Sequence, residues 1–212
     1  MMRMAKGTTA GKGTVARLSH YFDREPEVAS ERASTRLALP DLTLDLATDR
    51  GVFGRAGVDP GTKLLLLEAG PPALEGNLLD LGCGYGAIAL TMARRSPDAT
   101  VWAVDVNRRA LTLTADNAAT NGAPNVRPVE PDEVPDDVAF ATIWSNPPVR
   151  VGKQALHDLL GRWLPRLTPD GVAVLVVQKH LGADSLARWL AERWTVERVR
   201  SRMAYRLLEI RP

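Results

Sequence analysis

The stretch Ser145-Asn146-Pro147-Pro148-Val149 contains groups that can hold a planar nitrogen. It follows the apolar run FATIWS, which has the length and the bulky side chains of a buried strand. The two prolines stiffen the turn and carry no backbone N–H, so the groups left to face a ligand are acceptors. The side-chain oxygen of Asn146 and the carbonyl of Pro147 could each accept one N–H of an exocyclic amine.

Such an amine is a poor nucleophile, because its lone pair is delocalised into the attached ring. Two fixed acceptors favour its pyramidal form and align the nitrogen with the incoming group, so positioning would supply most of the catalysis. No strong general base is needed, because the proton becomes acidic only as the new bond forms. We therefore predict Asn146, Pro147 and Pro148 as catalytic residues; a purely structural Asn-Pro turn is the alternative.

A glycine-rich loop, Asp80-Leu81-Gly82-Cys83-Gly84-Tyr85-Gly86, lies between an apolar run and a helical pattern. Its glycines allow close approach of a ligand, but their spacing differs from the G-x-G-x-x-G of dinucleotide-binding loops. Asp80 would repel a pyrophosphate and attract the amino group of an amino acid. S-adenosylmethionine fits both observations, since it is cationic at sulfur and has no phosphate. We predict cofactor contacts from Asp80, Gly82, Cys83, Gly84, Tyr85 and Gly86.

Further cofactor contacts are predicted at the ends of the next strands. Asp105 follows the apolar run TVWAV, 25 residues after Asp80, where a carboxylate can accept both hydroxyls of a ribose. Val106 beside it joins the predicted contacts. Asp132 could accept from an adenine amine, although a solvated turn explains this residue equally well. Asn146 borders the same pocket and completes the predicted set.

The elements that position these residues alternate between strands and helices. Short apolar runs bounded by turn residues are separated by helical patterns, which predicts an α/β, Rossmann-like, doubly wound and mostly parallel sheet of seven strands. The last two runs have no helix between them, so the last strand is predicted to be antiparallel. Alternating leucines around Pro40-Asp41 predict a small β-hairpin. We divide the chain into a disordered basic tail (1–19), a β extension (20–58) and a cofactor-binding domain (59–212).

Composition limits the classes of protein to which the chain can belong. No apolar run approaches the roughly 18 residues of a membrane span, and the N-terminus lacks the apolar core of a signal peptide. The single cysteine, Cys83, excludes an internal disulfide and a multi-cysteine zinc site. We expect a cytoplasmic protein without a metal. From Arg150 onward twelve Lys and Arg face six Asp and Glu, a net +6, which indicates either a surface for an acidic partner or a solvated arginine-rich face.

DLGCGYG, VDVN and SNPP together resemble class I methyltransferases, and VFGRAGVDPGTKLLL is similar to the small methyltransferase domain of bacterial guanine-N2 ribosomal RNA methyltransferases. The resemblance covers roughly residues 50 to 180. It implies that Gly82, Gly84 and Asp105 contact S-adenosylmethionine and that Asn146 to Pro148 hold the amine. It also implies that the segment from Asp59 to Lys63 helps to close the cofactor pocket.

Two departures from the family bear on the substrate. Many members have an aromatic residue after the two prolines, where this chain has Val149. The larger members carry a second, degenerate domain ahead of the catalytic one, whereas only the hairpin precedes it here. We predict that Val149, Arg150 and Lys153 contact the substrate, the two cations by neutralising phosphates.

The predicted function is methylation of guanine N2 in small-subunit ribosomal RNA, with that RNA or the small ribosomal subunit as partner. Protein glutamine methylation and DNA adenine methylation are the enzymatic alternatives. An inactive RNA-binding module that keeps the fold is the non-enzymatic alternative.

Overall fold

The computed structural model describes residues 24–202 and 204–212, except for the side chain of Arg150. The predicted tail at residues 1–19 lies outside this range. The described strands are β1 (Ala33–Ala38), β2 (Thr43–Thr48), β3 (Asn77–Leu81), β4 (Thr100–Val104), β5 (Val126–Val129), β6 (Phe140–Ser145), β7 (Leu167–Gln178), β8 (Thr195–Arg202) and β9 (Tyr205–Arg211). The described α-helices are α1 (Pro60–Glu68), α2 (Ala87–Arg95), α3 (Arg108–Thr120), α4 (Lys153–Trp163) and α5 (Ala183–Leu190).

A seven-stranded sheet with the order β5-β4-β3-β6-β7-β9-β8 forms the centre of the molecule. Strands β3 to β7 pair in parallel, and β9 lies antiparallel between β7 and β8. The predicted doubly wound, mostly parallel sheet with an antiparallel last strand is therefore confirmed. The inner strands β3, β4 and β6 are largely apolar because both faces of the sheet are covered.

The chain reverses its direction of winding between β3 and β6, which are neighbours in the sheet. It proceeds outward from β3 through β4 to β5, and then returns to place β6 on the other side of β3. In open α/β sheets, ligands bind outside the carboxyl ends of the strands at such a switch point. The glycine-rich loop after β3 and the Asn146 turn after β6 therefore lie side by side.

The hairpin β1–β2 forms where the alternating leucines predict it, with Leu37 opposite Leu44. These leucines share one apolar core with α1, α2 and α3 on one face of the large sheet. The side chain of Asn117 on α3 forms hydrogen bonds with the free backbone groups of Ala47 at the edge of the hairpin. Its oxygen accepts from Ala47 N at 2.7 Å, and its nitrogen donates to Ala47 O at 3.0 Å. The division between an extension at 20–58 and a domain at 59–212 stays a prediction.

Candidate active site

The glycine-rich loop leaves an open space above the carboxyl end of β3. Gly82 and Gly84 have φ angles of +78° and +56°, a region that favours glycine. Among the described residues, no atom lies within 4 Å of a Cβ built on Gly82, and one built on Gly84 would meet only Phe53 O, at 3.9 Å. The Val104 carbonyl anchors the loop by accepting from Gly82 N and Cys83 N at 2.8 and 3.0 Å. A ligand can lie against this backbone without displacing a side chain.

Asp105 connects the glycine-rich loop to the end of β4. Its Oδ2 accepts from Gly84 N at 2.9 Å, and its Oδ1 accepts from Asn107 N, also at 2.9 Å. Burial raises the pKa of the Asp105 carboxyl, and these two hydrogen bonds oppose that rise. The carboxylate keeps lone pairs for further donors such as ribose hydroxyls.

Asp80 is fully buried beneath the loop, and one of its oxygens has no partner. Its Oδ2 accepts from Ala89 N at 2.9 Å, in the first turn of α2 just after Gly86, while Oδ1 has no hydrogen bond within the described residues. Burial, together with the charge of Asp105, raises the pKa of Asp80 to about 8, although the hydrogen bond from Ala89 N lowers it. A buried acceptor without a partner is costly, so this oxygen suits a cationic donor from a ligand.

The other predicted cofactor residues have different surroundings. The side chains of Cys83 and Tyr85 are buried in the apolar core, and only their backbone belongs to the loop. Val106 beside Asp105 is 36% exposed, which leaves an apolar surface for a flat ligand. Asp132 is exposed, and its Oδ1 accepts from Arg162 Nη2 at 3.0 Å. Asp132 as a contact for adenine stays a prediction, and its salt bridge is an alternative use of the same oxygen.

Asn146 lies at the end of β6, where its side-chain amide is held by residues of α1. Its Nδ2 donates to Asp59 Oδ1 at 2.9 Å and to Thr62 Oγ1 at 3.0 Å. Both amide protons are used, so the side chain offers Oδ1 to a ligand, and Oδ1 only accepts. This is the orientation that an amine substrate requires.

The two prolines after Asn146 form a tight inverse γ-turn. Pro148 has φ −73° and ψ 68°, and Val149 N donates to Pro147 O at 2.8 Å. The sequence prediction treats the Pro147 carbonyl as free to accept from an amine. The carbonyl instead carries this hydrogen bond, with one lone pair left for a second donor.

Comparison with known proteins places this geometry in a family. The family model described as the methyltransferase small domain matches residues 43–209. The chain belongs to this family. The match begins inside the hairpin and ends near the last residue of β9, so it includes the glycine-rich loop and the Asn146 turn.

Individual relatives support the same assignment. The uncharacterized protein YbxB of Bacillus subtilis is 36% identical over 176 residues, which are 82% of this chain and 88% of that protein. The ribosomal RNA small subunit methyltransferase C of Shewanella amazonensis is 32% identical over 166 residues, or 76% of this chain and 48% of that protein. A solved 16S rRNA N2 methyltransferase of Thermus thermophilus, in complex with AdoMet and guanosine, matches with a TM-score of 0.75 and 26% identity over 88% of this chain.

This member of the methyltransferase small domain family spans about half the length of its ribosomal RNA methyltransferase relatives. The matched part is 48% of the Shewanella protein and 52% of the Thermus chain. Within the described residues, no helix has the length and apolar character needed to cross a membrane.

The predicted substrate residues lie along the chain that leaves the Asn146 turn. Val149 is partly buried and packs against the core under α4, so it presents little surface on which a base could stack. Lys153 is exposed and is the first residue of α4. The side chain of Arg150 is outside the described part of the chain.

The arginines of β8 do not all lie on the same face of the sheet. Arg198 pairs with Asp184 of α5 at 3.0 Å, and Arg200 pairs with Glu68 of α1 at 2.8 Å. Helices α1 and α5 pack on opposite faces of the sheet. Each exposed pair contributes little to stability, and the acidic partners reduce the charge available to an RNA.

Sequence reasoning missed three features around the site. The resemblance assigns the segment from Asp59 to Lys63 to the closing of the cofactor pocket, which stays a prediction, and it does not indicate that Asp59 and Thr62 hold Asn146. The loop before α1 is fixed by Asn107, whose Nδ2 donates to Gly51 O at 2.8 Å. Phe53 in that loop is 51% exposed beside the glycine-rich loop, an aromatic surface that the sequence analysis did not single out.

Proposed function

We propose that this chain transfers a methyl group from S-adenosylmethionine to an exocyclic base nitrogen, namely guanine N2 of small-subunit ribosomal RNA. The observation that carries the proposal is the amide of Asn146. Its nitrogen donates to Asp59 and Thr62, and its oxygen is left as an acceptor beside the glycine-rich loop.

The residues after β3 and β4 fit S-adenosylmethionine. The unpartnered Oδ1 of Asp80 suits the ammonium of its methionine part, and the open backbone at Gly82 and Gly84 suits close approach. Asp105 keeps lone pairs for the ribose hydroxyls, and Val106 offers an apolar contact for the adenine. When bound, the cofactor supplies an electrophilic methyl group on a sulfonium sulfur.

The chain itself positions the amine. Asn146 Oδ1 accepts one N–H, and the remaining lone pair of the Pro147 carbonyl accepts the other. Two acceptors on one side favour the pyramidal nitrogen and direct its lone pair away from them. These groups are fixed before the substrate binds, so little reorganisation is needed during the reaction.

The choice of guanine in ribosomal RNA rests on the relatives. The Thermus enzyme acts at N2 in 16S rRNA and was solved with guanosine, and the Shewanella protein bears the name of a ribosomal RNA methyltransferase. A ribosomal RNA substrate would also place the protein in the cytoplasm. The exposed Lys153 near the turn would neutralise a phosphate of that RNA.

Radiolabelled methyl transfer tests the proposal. The protein is incubated with labelled S-adenosylmethionine and, separately, with small ribosomal subunits, free ribosomal RNA, DNA and total protein from cells lacking the gene. We expect label in the ribosomal RNA, either free or assembled. Label in protein alone would contradict the proposal and favour glutamine methylation, in which the same turn would hold an amide nitrogen.

A further inference from the structure

The first turn of α1 controls which end of the Asn146 amide faces the substrate. We propose that Asp59 and Thr62 are positioning residues that fix Asn146 as an acceptor, and that this contact requires Asn rather than Asp at position 146. The inference rests on the proposed function, because it assigns the orientation of the group that holds the amine.

The hydrogen bonds allow only one orientation of the amide. Asn146 Nδ2 lies 2.9 Å from Asp59 Oδ1, and an ionised carboxylate accepts but cannot donate. Rotating the amide by 180° would place Asn146 Oδ1 against that carboxylate, where two acceptors repel each other. The Thr62 hydroxyl, 3.0 Å from Nδ2, uses the second amide proton.

Asp59 is itself fixed as the cap of α1. Its Oδ1 also accepts from Gly61 N at 2.8 Å and Thr62 N at 3.1 Å, which satisfies free N–H groups of the first turn. The carboxylate therefore cannot rotate away from Asn146 without uncapping the helix. One oxygen serves both the helix and the catalytic amide.

The first turn of α1 is also held against the last strand. A Cβ on Gly61 would lie 2.5 Å from the ring of Tyr205 on β9, so glycine is needed for this close approach. The Tyr205 hydroxyl accepts from Gln178 Nε2 at 2.9 Å, at the carboxyl end of β7. The support of Asn146 thus extends through α1 to two neighbouring strands of the sheet.

Thr62 provides the most conservative test. Thr62→Val removes the hydroxyl and keeps the shape, whereas Thr62→Ser keeps the hydroxyl. With saturating S-adenosylmethionine and purified small-subunit ribosomal RNA, we expect Thr62→Val to lower the single-turnover rate about tenfold, with cofactor and RNA affinities unchanged. Thr62→Ser should restore most of the rate. An unchanged rate in Thr62→Val, or an equal loss of rate and cofactor affinity, would overturn the inference.

The Asn146→Asp variant tests the requirement for Asn. It places two carboxylates within hydrogen-bond distance, and such a pair holds a shared proton at raised pKa. Below that pKa, the substituted side chain is protonated, so it can donate to Asp59 and offer its other oxygen to the amine. With S-adenosylmethionine saturating at each pH, we therefore expect the activity of Asn146→Asp to rise as the pH falls from about 8 to about 6.

The control combines Asn146→Asp with Asp59→Ser. Serine is also a favoured helix cap, so α1 should stay intact, and its neutral hydroxyl removes the second carboxylate that would raise the pKa of Asp at position 146. The rise in activity at low pH should disappear in the double variant. If the double variant keeps the same rise, Asp59 is not the partner and the inference is wrong.

A spectroscopic measurement separates this inference from the proposed function. In ¹⁵N-labelled protein, the side-chain NH₂ protons of Asn146 should exchange slowly with solvent, and Thr62→Val should speed their exchange. If no substrate is methylated, but exchange is slow in the unmodified protein and fast in Thr62→Val, the proposed function fails and the orientation stands. If methylation is seen and the NH₂ protons exchange as fast as those of an exposed asparagine, the orientation fails alone.

Discussion

The glycine-rich loop after β3 and the Asn146 turn after β6 are neighbours, but they are held in different ways. The loop is fixed by β4 and the residues following it, through the Val104 carbonyl and Asp105. The turn depends on Asp59 and Thr62, which precede Asn146 by 87 and 84 residues. Because separate elements support them, cofactor binding and orientation of the amine should respond separately to substitution.

The two regions also differ in their charge. Two buried carboxylates with raised pKa values adjoin the loop, Asp80 beneath it and Asp105 beside it, as expected where a cationic ligand completes the site. The turn presents neutral acceptors, which hold an amine without adding charge. The predictions below test this separation, from the largest expected effect to the smallest.

Asn146→Ala should have the largest effect. It removes one of two acceptors for the amine, so we expect the single-turnover rate to fall about a hundredfold to a thousandfold. Calorimetry should show nearly unchanged affinity for S-adenosylmethionine, because the loop after β3 is untouched. Substantial residual activity would mean that the Asn146 side chain does not position the substrate.

Asp105→Ala should show the opposite pattern. It removes the hydrogen bonds to Gly84 N and Asn107 N and the acceptor for the ribose, so we expect cofactor affinity to fall about a hundredfold. The rate at saturating cofactor should change much less. Asp98→Ala, an exposed aspartate before β4, is the matched control, and an equal loss there would show a general effect of charge.

Asp80 should make cofactor binding dependent on pH. Its pKa of about 8 in the free protein means that a proton competes with the cofactor's ammonium at lower pH. Affinity should therefore rise about tenfold between about pH 6 and about pH 7, and level off only above the pKa. Asp80→Asn should bind more weakly and lose this dependence. A pH-independent affinity in the unmodified protein would show that Asp80 does not bind the ammonium.

Lys153→Ala should have the smallest effect. If Lys153 neutralises one phosphate, its removal should weaken RNA binding about threefold at low salt and reduce the slope of log affinity against log salt by roughly one unit. Arg94→Ala is the control, because Arg94 is an exposed cation in the last turn of α2, the end of the helix far from the glycine-rich loop. Equal effects of the two variants would remove Lys153 from the RNA-binding surface.

The sequence predicts those features that depend on neighbouring residues. The sheet follows from the alternation of apolar runs and helical patterns, and the loop from its glycines. The Asn146 turn follows from an asparagine and two prolines after a strand. Each of these signals lies within a few residues, where backbone preference and periodicity decide the structure.

The contacts between distant segments could not be predicted in this way. The distance from Asp59 to Asn146 depends on how α1 packs against β7 and β9. This packing cannot be predicted from the local sequence pattern. The unpartnered oxygen of Asp80 depends on how its carboxylate rotates beneath α2. The hydrogen bond from Val149 N to Pro147 O depends on the ψ angle of Pro148, which proline does not fix.

The most direct test of the central claim is nucleoside mass spectrometry of small-subunit ribosomal RNA. Unmodified RNA is incubated with S-adenosylmethionine and either the unmodified protein or Asn146→Ala, and is then digested to nucleosides. We predict N2-methylguanosine with the unmodified protein and almost none with the variant. A methyl group on another atom, or equal yields from the two proteins, would contradict the account.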